Sequence, residues 1–253
     1  MTGATITAVT SGKGGVGKTF VAANLAAALA RAGQRVLVLD ADLGLANLDV
    51  VLSLAARITL HDVFTGRATL DEALQSAPGG FTVLLAGSGL VEYSRMTPEV
   101  RDKLLEVIAQ VRPRFDQVLL DTGAGISDVV LFTVSLADEV LVVATPEPTS
   151  LTDAYATIKV LASTQAARPM RLLVNQVQRK GEGRTVQIQL QQVLDRFVSP
   201  ELARPLKLML VGEVPLDTAV REAVQHRQLL MKSMPGSPAA VALTAAAGKL
   251  LPP

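Results

Sequence analysis

Short apolar runs recur along the chain, separated by stretches of helical length. They begin with the alternating segment from Ala4 to Thr10 and continue through RVLVLDAD (35–42), FTVLLAG (81–87), FDQVLLDT (115–122), DEVLVVAT (138–145), MRLLVNQV (170–177) and LKLMLVGEV (206–214). Near-continuous runs of this kind suit strands buried on both faces of a parallel sheet. Between them, Lys18 to Arg31 has helical periodicity and stops at Gly33, a residue suited to the left-handed position after a helix. In MTPEVRDKLLEVIAQVR, Thr97 is the expected N-cap and Pro98 the first helical residue. The apolar stripe there is Val100, Leu104, Val107, Ile108 and Val111. The polar stretch QVQRKGEGR (176–184) reads as an exposed loop, and 237–250 as an alanine-rich helix following a Pro/Gly turn. Strands alternating with helices predict an α/β fold, a mostly parallel twisted sheet covered on both faces. No repeat or linker interrupts the pattern, so residues 1–253 are expected to form one domain.

Composition narrows the chemistry. Hydrophobic residues are 49% and charged residues 19%, which argues for a packed core. A formal net charge of +1 gives no general attraction to nucleic acid, and the basic residues Arg168, Arg171, Arg179, Lys180 and Arg184 are the one candidate patch. No aromatic residue lies among them, so a solvated rim is the preferred reading and nucleic acid is not an expected partner. There is no cysteine and only two histidines, His61 and His226, which leaves no set for a transition metal. The N-terminus has no basic-then-apolar leader pattern, and no uncharged apolar run reaches the length of a membrane span. The cytoplasm is the default location.

One segment carries specific chemistry. Gly12-Lys13-Gly14-Gly15-Val16-Gly17-Lys18-Thr19 lies between a strand and a helix and satisfies the phosphate-binding pattern Gly-x-x-x-x-Gly-Lys-Thr. Its glycines allow backbone N–H groups to surround phosphate oxygens, and the helix beginning near Lys18 adds its positive end. Lys18 would reach the β- and γ-phosphates, and the Thr19 hydroxyl would hold Mg²⁺. Asp121 ends an apolar strand ahead of Gly123-Ala124-Gly125 and is the expected metal partner. Asp40 and Asp42 end the second strand two residues apart, so both are expected to face the metal and the attacking water. A helix N-cap or a solvated strand end is the alternative for each. Asn175 reads from its residues alone as a polar stop to a strand.

Lysine directly after the first glycine makes GKGGVGKT similar to the deviant phosphate loop of the MinD/ParA/Mrp ATPases, a P-loop NTPase family. LDADLGLANLDVVL and DTGAGISD resemble that family's two switch segments. TLHDVFTG, PEPTSLTDAYATIK, LLVNQV, VGEVPLDTAVREAV and SPAA further resemble its flagellum-number branch, FlhG (also called FleN or YlxH). The resemblance implies a slow, regulatory ATP hydrolase with ATP and Mg²⁺ as cofactors, switching between monomer and ATP-bound homodimer. It assigns Lys18 to its own site and Lys13 to the partner subunit's phosphates across the dimer. Asp42 governs the attacking water, Asp40 supports the metal and Asp121 binds it. Asn175 recognises the adenine, with Val214, Pro215 and Asp217 flanking the base. Implied partners are an FlhF-like GTPase and flagellar basal-body or transcription regulators. The alternatives are a division-site or DNA-segregation ATPase, and an ATP-binding scaffold or co-regulator with little hydrolysis.

Two departures from the branch stand out. The chain begins almost at the first strand, without the glutamine-rich segment through which many members activate the GTPase. The tail from Ser237 is rich in alanine with one lysine, Lys249, instead of a basic amphipathic anchor. It is expected to pack against the domain and to bind membrane weakly or not at all, leaving at most a peripheral place at the inner face of the cell membrane.

Overall fold

Within the sheet, alternate residues of each strand feed two separate cores. A computed structural model describes residues 3–43, 47–87, 96–165 and 168–251. The strands are β1 (Thr5–Ser11), β2 (Val36–Ala41), β3 (Gln75–Ser76), β4 (Thr82–Leu84), β5 (Gln117–Ala124), β6 (Glu139–Ala144), β7 (Met170–Val177) and β8 (Leu208–Pro215). The helices are α1 (Lys18–Arg31), α2 (Leu48–Leu52), α3 (Leu60–Phe64), α4 (Leu70–Ala73), α5 (Pro98–Val111), α6 (Asp128–Ser135), α7 (Pro148–Thr164), α8 (Glu182–Phe197), α9 (Thr218–Gln225), α10 (Leu230–Ser233) and α11 (Pro238–Gly248). The sheet order is β3-β4-β2-β5-β1-β6-β7-β8, and only the two-residue β3 runs antiparallel to its neighbour.

Leu37 and Leu39 of β2, Leu120 of β5 and Val142 of β6 face Leu104 of α5, Ile158 of α7 and Leu190 of α8. Their neighbours Val38, Leu119 and Leu141 point the other way, onto Leu25 and Leu29 of α1 and Leu243 of α11. Both faces of β2 and β6 are fully buried, which is why these strands read as unbroken apolar runs. Each leucine or valine side chain so buried contributes about 1.5–3 kcal/mol. The predicted bounds of α1 hold, with Gly33 at φ +85° just beyond it. Thr97 caps α5 by accepting from the Val100 N–H, and the five predicted stripe residues are the buried ones. The first strand lies one residue later than its alternation suggests.

The loop expected at 176–184 is shorter in the structure. Gly181 adopts φ +87° and starts α8 at Glu182, while Glu213 of β8 accepts hydrogen bonds from the Gly181 and Gly183 N–H groups. The single basic patch is also corrected. Arg171, the second residue of β7, is paired with the buried Glu139 at 2.6 Å, and Arg168 donates to the carbonyls of Val134 and Ser135. Arg179 and Lys180 lie beyond the other end of β7, whose stretch from Arg171 to Val177 spans about 20 Å at the rise of an extended strand.

The C-terminal helix is part of the core. Ala239, Ala240, Leu243, Ala246 and Ala247 of α11 are buried. A Cβ on Gly212 of β8 would come within 2.9 Å of the Ala246 Cβ, so small residues on both sides set this close approach. Among the described residues, no helix is long and apolar enough to cross a membrane.

Candidate functional site

The candidate residues gather where β1, β2 and β5 end. Strand β1 lies between β5 and β6, so the connections leaving the centre of the sheet diverge and open a crevice there. Beyond β1 the loop turns with Gly15 and Gly17 at φ +79° and +92° and enters α1 at Lys18. No side chain caps α1, leaving its first N–H groups to face the crevice. The crevice is about 650 Å³ and is lined by Gly14, Gly15, Gly17, Lys18, Thr19 and Asp42, among others.

Two glycines are dictated by close contact. A Cβ on Gly12 would lie 2.1 Å from the Asp153 carbonyl oxygen of α7, so the loop's first residue is pressed on that helix. A Cβ on Gly17 would lie 2.6 Å from Asn175 Nδ2, on top of its left-handed φ.

The floor of the crevice is acidic. Register places Asp40 of β2 directly beside Asp121 of β5. Burial pushes the Asp121 carboxyl up to about 7, opposed by the Thr19 hydroxyl bond and the Lys18 ammonium and assisted by Asp42. Its Oδ1 is buried and accepts no hydrogen bond. Lys18 is lowered by burial, with Asp121 and Asp42 opposing. Asp40 is raised well above the usual carboxylate range, first by burial and then by Asp121. Asp121 and Asp42 face the Lys18 ammonium, and Asp40 crowds Asp121 from the next strand. An orphaned carboxylate oxygen beside a threonine hydroxyl fits a hard divalent ion such as Mg²⁺, which takes few protein ligands and completes its shell with phosphate and water. Among the described residues, no group of three or more His, Asp or Glu side chains is placed to hold a metal unaided.

Asp40 is tied to the backbone that follows β2. Its Oδ1 accepts from the Asp42 N–H at 3.2 Å and its Oδ2 from the Leu48 N–H at 3.4 Å. Both oxygens thus serve the turn after β2 and the start of α2. Asp42 is half-buried and lines the crevice, with its carboxylate 3.5 Å from where a Cβ on Gly123 would stand. The segment around Gly123 is held on β1 by Gly125 N–H donating to the Ser11 carbonyl and Thr122 Oγ1 donating to the Val9 carbonyl.

The base-end assignments fare differently. Asn175 does not stop a strand. It lies inside β7, buried, and its Nδ2 donates to the Val16 carbonyl at 2.8 Å, bracing the phosphate loop. Val214 is fully buried in the α1-side core, so its side chain is not available to a base. Asp217 accepts from the Ala219 N–H at 2.9 Å and from the Ala239 N–H at 3.0 Å, capping α9 and fixing the start of α11. Its carboxylate is thus engaged at the starts of both helices. Pro215, at the end of β8, stays half-buried.

Sequence reasoning missed the apolar wall of the crevice, Phe20, Leu43, Val51, Val129, Val130 and Val224. These come from four separate elements and loops, and no local spacing links them. It also missed the neighbours of Lys13, whose Nζ turns to α7 and donates to Glu147 Oε2 at 2.9 Å and Thr149 Oγ1 at 3.0 Å.

Comparison with known proteins places this geometry. The family profile described as "ParA: NUBPL iron-transfer P-loop NTPase" matches residues 3–251. The chain is 42% identical to the antiactivator FleN of Pseudomonas aeruginosa, covering 97% of this chain and 85% of that protein. It is 33% identical to the flagellum site-determining protein YlxH of Helicobacter pylori, covering 90% and 75%. The structure of the septum site-determining protein MinD from Pyrococcus horikoshii, complexed with Mg-ADP, superposes with a TM-score of 0.77 at 28% identity, covering 98% and 96%.

Proposed function

The chain belongs to the ParA/MinD family of P-loop NTPases, and on that premise we propose that it is a slow, regulatory Mg²⁺-dependent ATPase. In this reading an ATP-driven monomer–dimer switch sets flagellum number and placement. One observation carries the nucleotide chemistry: the buried, unmatched Asp121 oxygen beneath Thr19 and Lys18 in a glycine-lined crevice. The flagellar assignment is supported by the similarity to FleN and YlxH.

Residues 1–253 act as one ATPase domain. The loop N–H groups from Gly12 to Thr19 cradle phosphate oxygens and Lys18 offsets their charge. Thr19 and Asp121 hold Mg²⁺, which supplies charge neutralisation at the β- and γ-phosphates when bound. Asp40 acts behind them by fixing the backbone of Asp42 and Leu48. Asp42 orients and deprotonates the attacking water, and the adjoining Gly123–Gly125 segment senses the γ-phosphate through its backbone. Asn175 and Pro215 attend the base. Lys13 reaches the partner subunit's phosphates, so that two facing nucleotides are neutralised before the subunits pack. The ATP-bound dimer then engages an FlhF-like GTPase or flagellar basal-body and transcription regulators, in the cytoplasm or at the inner membrane face.

Calorimetry with Mg-ATP tests the first half of the reading. Saturable binding to the wild type that is lost in K18A supports it, and undiminished binding to K18A overturns it. Counting flagella on cells lacking the gene, and on cells expressing D42A, tests the second half. An unchanged number in both rejects the flagellar assignment.

A further inference from the structure

A second cleft opens on the α1 side of the sheet, where α2 and α9 end. It encloses about 420 Å³ and is lined by Ser53 after α2, Arg227 and Gln228 after α9, and Lys232 of α10. Its floor is apolar, formed by the buried Leu52 and Leu229. A volume of this size suits a small ligand. None of the residues lining it is acidic. Arg227 and Lys232 are exposed, and neither forms an ion pair among the described residues.

The backbone around the cleft is held in a costly form. Ser53 and Arg227 have φ +52° and +51°, two of the three non-glycine residues in the left-handed region among the described residues. Each closes a helix. The Leu54 N–H donates to the Asp49 carbonyl after α2, and the Gln228 N–H to the Ala223 carbonyl after α9. Glycine takes such a position without penalty, whereas arginine there costs backbone stability. A cation also offsets the carbonyl end of α9, but a basic residue in the last turn would do so without a left-handed backbone.

The same two helices wall the nucleotide crevice. Val51 of α2 and Val224 of α9 line it together with Asp42, and Asp40 holds the start of α2 through the Leu48 N–H. We propose that the second cleft binds a small phosphate-bearing molecule, which strengthens nucleotide binding in the crevice by pinning α2 and α9. The coupling rests on the reading of the crevice as a nucleotide site, and the binding does not. The Arg227 guanidinium pairs with two phosphate oxygens, and Lys232 offsets the remaining charge. The Ser53 hydroxyl and the Gln228 amide serve the polar groups of the molecule that carries the phosphate.

The test titrates ribose 5-phosphate and inorganic phosphate into full-length wild type, R227G and K232Q by calorimetry, with the crevice filled by Mg-ADP. Ribose 5-phosphate should bind wild type at one saturable site, more tightly than inorganic phosphate does. R227G should weaken it by about tenfold or more, as expected for a lost charge-assisted hydrogen bond, and K232Q by less. R227G should nevertheless unfold at higher urea, because glycine relieves the left-handed backbone. Saturating ribose 5-phosphate should raise the ADP affinity of wild type about fivefold, the low end of coupling between sites, and leave that of R227G unchanged. Absence of saturable binding, equal binding by R227G, or a lower urea midpoint in R227G overturns the site. A DNA duplex that binds through Arg227 when ribose 5-phosphate does not overturns it in favour of a nucleic-acid contact. Unchanged ADP affinity overturns the coupling alone. If the protein takes up no ADP at all, the nucleotide reading fails, and the sugar-phosphate titration still decides the cleft.

Discussion

The phosphate end and the base end of the crevice are built on different terms. After β1, β2 and β5 the chain presents backbone N–H groups, a half-buried lysine and crowded carboxyls. After β7 and β8 the corresponding side chains are already employed. Asn175 braces the phosphate loop, Val214 fills the core and Asp217 caps two helices. The first end is an incomplete electrostatic arrangement that a metal–nucleotide complex would complete. The second is already tied into the fold through Asn175 and Asp217. Substitutions at the first should therefore change chemistry more than stability, and at the second the reverse.

Removing Lys18 is the strongest way to break that contrast. K18A removes the half-buried ammonium that faces Asp121 and Asp42 and that offsets the phosphate charge in the proposed reading. Its ATP affinity should fall by roughly two to three orders of magnitude in calorimetry, with the fold intact by circular dichroism. D42A comes next: it should retain ATP and hydrolyse it roughly a hundredfold more slowly in a phosphate-release assay. Asp217→Ala sharpens the other side. It takes the acceptor from the Ala219 and Ala239 N–H groups, so unfolding in urea should show a loss of about 1–2 kcal/mol. Turnover per folded molecule should change little. A loss of ATP affinity in this variant as large as that of K18A would erase the distinction between the two ends.

The smallest effect is expected at the membrane. The buried face of α11 is occupied by α1 and β8, and residues 237–251 carry one cation, Lys249. Co-sedimentation with anionic liposomes should remain weak with or without ATP. Strong ATP-dependent pelleting would mean that α11 undocks or that another surface binds lipid.

What could be read from the chain follows the same division. The long parallel strands, α1 and α5 were legible because burial on two faces or on one stripe leaves a dense local pattern. The phosphate loop, Asp42 and Asp121 were legible because their chemistry depends on fixed spacing after a strand. β3 and the five-residue α2 were not, being too short for any period to appear. Asp40 showed its acid but not its partners, since the Leu48 N–H reaches it only once the chain has turned back. Asn175 looked like a polar stop to a strand, and the helix-start partners of Asp217 were hidden, because Val16 and Ala239 are brought to them by the tertiary fold alone. The split of one basic patch into two ends of β7 was hidden for the opposite reason. Sequence proximity is not spatial proximity along an extended strand.

The central claim is that one lysine of the loop serves its own subunit and the other serves its partner. Light scattering with Mg-ATP on D42A and K13A tests it most directly. The account predicts D42A at about twice the monomer mass, because trapped ATP holds the dimer. It predicts K13A at the monomer mass although it still binds ATP. A K13A protein that dimerises as tightly as D42A would contradict the claim and make Lys13 a ligand of its own subunit's phosphates.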